Sequence, residues 1–316
     1  MRVLIAYDES EGAATAIDTL PRAGLPAEGV EALVVSVAEV WLPPAPREGV
    51  PDETFPLQNP PGLKQAREHA AAIMAEGEER AERGKKRVQH VFPGWSVYRE
   101  VVNGSPAFEL LNRANDWQPQ LIVVGSHGHT ALGRFILGSV SQKILTEAST
   151  SVRIGRASTG VGGSAERTII GIDGSPGSDT AVRAVADRNW TPGSELRVVV
   201  ATDLMKAFPI IDLVPPVQEF MDEVNEEGRT HAEEIATEAL KQLRARLNER
   251  ITLSSVIESG DPKQVLIRCA EEFGADCIFT GATGFSNRLE RFVLGSVSAG
   301  VAARAHCSVE VVRGHQ

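Results

Sequence analysis

The eight residues from Arg134 to Ser141, RFILGSVS, return as Arg291 to Ser298, RFVLGSVS, with one change, Ile136 to Val293. Two copies of one motif in a chain of 316 residues leave room for about two domains of ordinary size, each able to bury its own core. The copies extend well beyond the motif. Asp8 matches Asp173 at an offset of 165, Gly104 matches Gly260 and Gly125 matches Gly281 at 156, and Gly138 matches Gly295 at 157. The step from 156 to 157 puts one extra residue inside the second glycine loop. The expected division is residues 1–155, a linker RASTGVGGSAE over 156–166 rich in Gly and Ser, and residues 167–316.

Each half reads as strand and helix in alternation. Val3 to Ala6 and Thr168 to Ile172 are apolar runs that end in Asp-x-Ser, followed by helical patterns over Ala13–Leu20 and Thr180–Asp187. Ala32–Val37 and Leu196–Ala201 are Val-rich with little alternation, as parallel strands covered on both faces are. Pro-containing loops, Pro43 to Pro61 and Phe208 to Pro216, lead into long helices over Leu63–Arg87 and Val217–Asn248. The charge runs on those helices read as solvated faces. Strands over Val97–Val102 and Leu253–Ile257 run into Gly-x-Pro, which starts helices at Ala107 and Lys263 with Ser105 or Asp261 as N-cap. Strands Leu121–Val124 and Cys277–Thr280 feed the glycine motifs, and Ser151–Ile154 and Ser308–Val312 close the halves. This order predicts an α/β chain of two repeated, doubly wound, Rossmann-like domains. Each has a five-stranded, mostly parallel sheet, helices on both faces, and ligands at the carboxyl ends of the strands.

Composition narrows the function classes. A net charge of -10 with pI near 5.3 opposes broad binding to nucleic acid or anionic membranes. No apolar stretch approaches the 18 residues of a membrane span, and the three cysteines show no C-x-x-C spacing. A reducing cytoplasm is the expected compartment.

The chemistry concentrates in the loop Gly125-x-x-Gly128, nine residues, then Gly138-Ser139. A strand, a glycine-bearing loop and a helix N-terminus form an anion site, because free N–H groups and the helix dipole both favour phosphate. In this reading Gly125 admits a ligand to the backbone, Gly128 turns with positive φ, and Gly138 keeps the helix entrance clear of a Cβ. Ser139 then faces terminal phosphate oxygens. Asp8 and Asp173 stand at the carboxyl edge either as turn residues or as acceptors for ribose or an adenine amino group. Val37 and Ala201 end the second strands and are either core or base contacts. Arg134 and Arg291 precede the Gly-Ser pairs and are either surface residues or fold over the phosphates. His127 and His129 have no equivalents at Thr283 and Phe285 and no accompanying carboxylate or Cys cluster, which disfavours a metal or acid–base role.

These residues resemble the universal stress protein family in its tandem, ATP-binding form. The family pattern Gly-x2-Gly-x9-Gly-Ser/Thr is met by Gly125, Gly128, Gly138 and Ser139. Its first-strand Asp is met by Asp8 and Asp173, and its second-strand base contact by Val37 and, less well, Ala201. The resemblance implies ATP, with Mg2+, as cofactor. It puts Val124 and Gly125 beside the adenosine, Gly128 and Gly138 at the phosphates, and Ser139 and Val140 at the terminal phosphates. In the second half Gly281, Gly284, Gly295, Ser296 and Val297 take those places, but ten residues separate Gly284 from Gly295. It also implies that Val152-Arg153-Ile154 pairs with Val309-Glu310-Val311, a pseudo-twofold dimer within one chain, with a further homodimer as an open expectation.

The function expected is nucleotide-dependent regulation with hydrolysis slow at most, since no general base accompanies the phosphate loop in both repeats. Two alternatives stand beside it: a slow ATPase or nucleotidyl-transfer enzyme on a related fold, and a scaffold that binds nothing. The transferase signatures His-x-Gly-His and Ser-Gly-Gly-x-Asp-Ser are absent near the first strands, which read DESEG and DGSPG.

Overall fold

The computed structural model describes residues 1–40, 63–127, 137–157, 165–202, 215–283 and 294–314. The first half runs β1 (Arg2–Ala6), α1 (Glu11–Asp18), β2 (Glu31–Ala38), α2 (Leu63–Val91), β3 (Ser96–Asn103), α3 (Pro106–Trp117), β4 (Leu121–Gly125), α4 (Ser139–Glu147) and β5 (Ser151–Gly155). The second repeats it with β6 (Arg167–Ile172), α5 (Pro176–Ala186), β7 (Glu195–Thr202), α6 (Pro215–Arg244), β8 (Thr252–Ser259), α7 (Pro262–Phe273), β9 (Cys277–Gly281), α8 (Ser296–Arg304) and β10 (Ser308–Val312). The strands form one ten-stranded sheet in the order β3-β2-β1-β4-β5-β10-β9-β6-β7-β8. Neighbours within each half are parallel, and the halves join through the antiparallel pair β5–β10.

The helix starts differ from the sequence reading for a local reason. Ser10 and Ser175 are the N-caps, their hydroxyls accepting from Ala13 N and Ser178 N, both at 3.2 Å. So α1 and α5 begin at Glu11 and Pro176, ahead of the periodic apolar residues. Asp261 caps α7 through Lys263 N at 2.9 Å and Gln264 N at 3.3 Å, whereas the Ser105 side chain makes no cap bond. Pro215 and Pro216, read as the end of a loop, instead open α6, since proline is tolerated in a helix's first turn. The Pro43 to Pro61 loop lies outside the described residues, as does most of the linker.

The seam is built by alternation along β5 and β10. Val152, Ile154, Val309 and Val311 point to one face, where residues of α3, α4, α7 and α8 join them in a single apolar core shared by both halves. The other face carries two separate cores, one under α1 and α2 and one under α5 and α6. Two buried arginines strap the shared side with pseudo-twofold symmetry. Arg156 Nη2 donates to Ala302 O in α8, and Arg313 Nη2 to Leu145 O in α4, both at 2.6 Å. Each guanidinium thus satisfies an orphan carbonyl near the C-terminus of the other half's last helix. Burial pulls both arginines down to about 10, still far above neutral pH, so both remain charged.

Gly155 ends β5 on the opposite face, where a Cβ would lie 2.2 Å from Ala16 Cα. That contact is backbone and cannot yield cheaply. Gly155→Ala should lower unfolding stability by about 1–3 kcal/mol in urea titration. Gly300→Ala, where the Cβ meets only the flexible Lys263 side chain, should be neutral or stabilising by up to about 1 kcal/mol.

Candidate functional site

In each half the strand order reverses at the first strand: β2 and β3 lie to one side of β1, and β4 and β5 to the other. A crevice opens at such a point beyond the carboxyl ends of the strands. The register sets what meets there. Ala6 lies beside Val35 and Ile5 beside Val123, so Asp8, Val37 and Gly125 emerge on one edge. In the second half Ile172 pairs with Val200 and Gly171 with Thr280, bringing Asp173, Ala201 and Gly281 to the matching edge.

Asp8 and Asp173 are exposed and hold the turn after their strands. Asp8 Oδ1 accepts from Ser10 N at 3.0 Å and from Ser10 Oγ at 2.5 Å, and Asp173 Oδ1 accepts from Ser175 N at 3.0 Å. The turn role of both aspartates is therefore shown. The residue between Asp and Ser is left-handed in both copies, Glu9 at φ 67° and Gly174 at φ 77°. Glycine adopts that conformation freely and glutamate does not. Glu9 is held by Arg83 of α2, Oε1 to Nε at 2.6 Å. Tyr7, just before Asp8, has its hydroxyl pushed above its usual range by burial.

The glycines at the strand ends have a structural purpose besides the ligand access expected of them. A Cβ on Gly125 would lie 2.6 Å from the Gly12 carbonyl carbon, and one on Gly281 would lie 2.3 Å from that of Gly177. A Cβ on Gly12 would in turn lie 2.1 Å from His127 O, and one on Gly177 2.0 Å from Thr283 O. In each half two glycines let the start of the first helix press on the loop leaving the fourth strand. Gly12 and Gly177 escaped the sequence reading, although Ser-x-Gly recurs at both places. Ser141 and Ser298 escaped it too: their hydroxyls donate to Gly125 O and Gly281 O, both at 2.6 Å, tying the last helix to the strand end. The doubled GSVS was the available signal.

Gly138 and Gly295 are the N-caps of α4 and α8, with extended backbones, φ -63° and -64°. Their own N–H groups close the loops by donating to Ser126 O at 2.8 Å and Ala282 O at 2.7 Å. A glycine cap has no side chain to accept from the first-turn amides, and neither helix has a side-chain cap bond. Both N-termini therefore present donors, and the positive end of a dipole, to an acceptor from outside. Ser139 and Ser296 are exposed there, and Val140 and Val297 half-buried. Val37 and Ala201 are half-buried against the shared core, and Val124 is 2% exposed within it, which leaves its main chain for any contact at the edge. His127 Nδ1 lies 2.9 Å from Ser126 Oγ. Gly128, His129, Arg134, Gly284 and Arg291 lie outside the described residues. Among the described residues no group of three or more His, Cys, Asp and Glu could hold a metal ion, and no helix is long and apolar enough to cross a membrane.

Comparison with known proteins agrees with the doubled fold. The model of the universal stress protein family matches twice, over residues 1–154 and 165–313. A universal stress protein of Mycolicibacterium smegmatis is 29% identical over 223 residues, 70% of each chain. The stress response protein NhaX of Bacillus subtilis is 27% identical over 164 residues, covering 47% of this chain and 98% of its own. Among solved structures, a universal stress protein from Archaeoglobus fulgidus aligns with 99% of this chain and 98% of its own at a TM-score of 0.61 and 20% identity, a likeness of fold.

The interlocked glycines are the parts of this site least open to change. Gly12→Ala and Gly177→Ala should each lower stability by about 1–3 kcal/mol, measured by chemical denaturation, because the added methyl meets a carbonyl. Glu9→Gly should change it by less than about 1 kcal/mol, since the relief of a left-handed backbone offsets the loss of an exposed ion pair.

Proposed function

Because the chain belongs to the universal stress protein family, we propose that it is an adenine-nucleotide-binding regulatory protein, with ATP as the ligand of the first half. The observation that carries this reading is the side-chain-free cap at Gly138. It leaves the α4 amides facing the crevice where the strand order reverses, and polyphosphate is the acceptor that such a site suits. Asp8 would accept from ribose or the adenine amino group, with Val37 against the base and the main chain of Val124 and Gly125 along the adenosine. Gly128 and Gly138 would leave room for the phosphates, Ser139 and Val140 would donate to the terminal ones, and Arg134 would offset their charge. Mg2+ would enter with the triphosphate, held by its oxygens.

The second half supports the same reading with Asp173, Ala201, Gly281, Gly284, Gly295, Ser296 and Val297. Its loop is one residue longer, so it is assigned the weaker site. Occupancy would bias conformation or assembly, with hydrolysis slow at most, in a cytoplasmic protein divided at 1–155 and 167–316.

Extraction of nucleotide from the purified protein, followed by calorimetric titration with ATP and Mg2+, tests the reading. One tight site and a weaker second site are expected. No adenine nucleotide in the extract and no heat on titration would leave a scaffold as the surviving reading, and phosphate release faster than about 1 s⁻¹ would make the protein an enzyme. Gly138→Val should weaken the tighter site by about a hundredfold with the thermal midpoint little changed, because the φ of the cap suits any residue while the new side chain crowds the helix entrance.

A further inference from the structure

The face of the seam opposite the shared core holds charges where an apolar contact would be expected. In the β5–β10 register Val152 faces Val311, Ile154 faces Val309, and Arg153 faces Glu310. Arg153 and Glu310 stand at equivalent places in the two copies, 157 residues apart. The pseudo-twofold axis therefore passes through their pair, and each occupies the position that would face itself in a dimer of like halves. Both side chains are fully buried, with Arg153 Nη1 3.4 Å from Glu310 Oε2. Arg188, at the end of α5, grips the other carboxylate oxygen, Oε1.

Arg153 has one further partner on each side of the seam. Nη1 lies 3.0 Å from Cys277 Sγ, and Nη2 donates to Thr19 O at 3.5 Å. A second ionic pair follows the same polarity: Arg22 of the first half donates to both oxygens of Asp276 of the second at 3.1 Å. The repeat equivalents of these two are Asp187 and Gln120, so this ionic pair is not repeated on the other side of the pseudo-twofold. In both pairs the first half supplies the cation and the second the anion.

We propose that Arg153 and Glu310, with Arg188 supporting Glu310, are a pairing code that makes each half's last strand complementary to the opposite half and incompatible with its own kind. Two first halves would bury Arg153 against Arg153, and two second halves Glu310 against Glu310. Like charges buried at that spacing are far costlier than exposed ones, and in a pair of second halves only each half's own Arg188 would offset them. The partner this edge accepts is the opposite half, from the same chain or from a second copy.

Charge reversal in the full chain tests the code. Arg153→Glu alone, or Arg188→Glu with Glu310→Arg, should lower the thermal midpoint by about 10 °C or more. All three substitutions together should recover most of that loss. Co-expression of the two reversed chains should yield 1:1 dimers by light scattering, since each then finds complementary charges only in the other, whereas neither alone forms a stable pair. Reversed chains as stable as the parent would overturn the proposal, as would a triple variant no more stable than either. If each reversed chain is insoluble when made singly, soluble 1:1 dimers on co-expression still support the code, and their absence overturns it.

Discussion

The antiparallel joining of β5 to β10 is the contact on which this molecule depends. A five-stranded parallel sheet with β5 at its edge would leave a row of unpaired N–H and C=O groups beside apolar side chains. Pairing the two edges removes both liabilities at once and makes a ten-stranded sheet. It also brings Val152, Ile154, Val309 and Val311 into one core beneath α3, α4, α7 and α8. Arg156 and Arg313 then cross the seam to carbonyls of α8 and α4. The helices whose N-termini form the candidate sites are thus held at their other ends by the opposite half, so the geometry of each site is partly a property of the pair.

The site follows from two constraints of different kinds. Strand order places the crevice, because the chain turns away from β1 in both directions and leaves a gap above it. Close packing shapes the crevice: Gly12 against the His127 carbonyl, Gly125 against the Gly12 backbone, and Ser141 tied back to Gly125. Together they fix where α4 begins relative to the end of β4. Asp8 belongs to the same construction, since its carboxylate orders the turn that delivers Ser10 to the cap of α1. Residues read as ligand contacts are in several cases structural first, and the surface left for a ligand is largely backbone. Such a surface recognises phosphate by its N–H groups and tolerates variation in side chains, as the changes between the two copies illustrate.

Much of this was legible in the sequence. The repeated RFILGSVS and RFVLGSVS, the Asp-x-Ser turns and the Val-rich runs were sufficient for the strand order, for the doubling, and for the residues at the carboxyl edge. Periodicity did less well at helix starts, because a cap is one hydrogen bond and leaves no repeating pattern. Ser10 and Ser175 shifted α1 and α5 earlier than their apolar residues suggested. The packing role of Gly125 was not legible, because a glycine at a strand end looks the same whether a ligand or a helix approaches it.

What the sequence determined by itself was local and repetitive: the elements, their order, the duplication and the motif at each carboxyl edge, all written in patterns a few residues long. The family resemblance already set Val152-Arg153-Ile154 against Val309-Glu310-Val311, and only the tertiary structure decided how deeply that pair is buried and what surrounds it. Arg153 and Glu310 are separated by 157 residues, and each alone is a charge in an apolar strand. Their meaning comes from a register that brings them together with all water excluded, and a buried charge is interpretable only through the partner beside it.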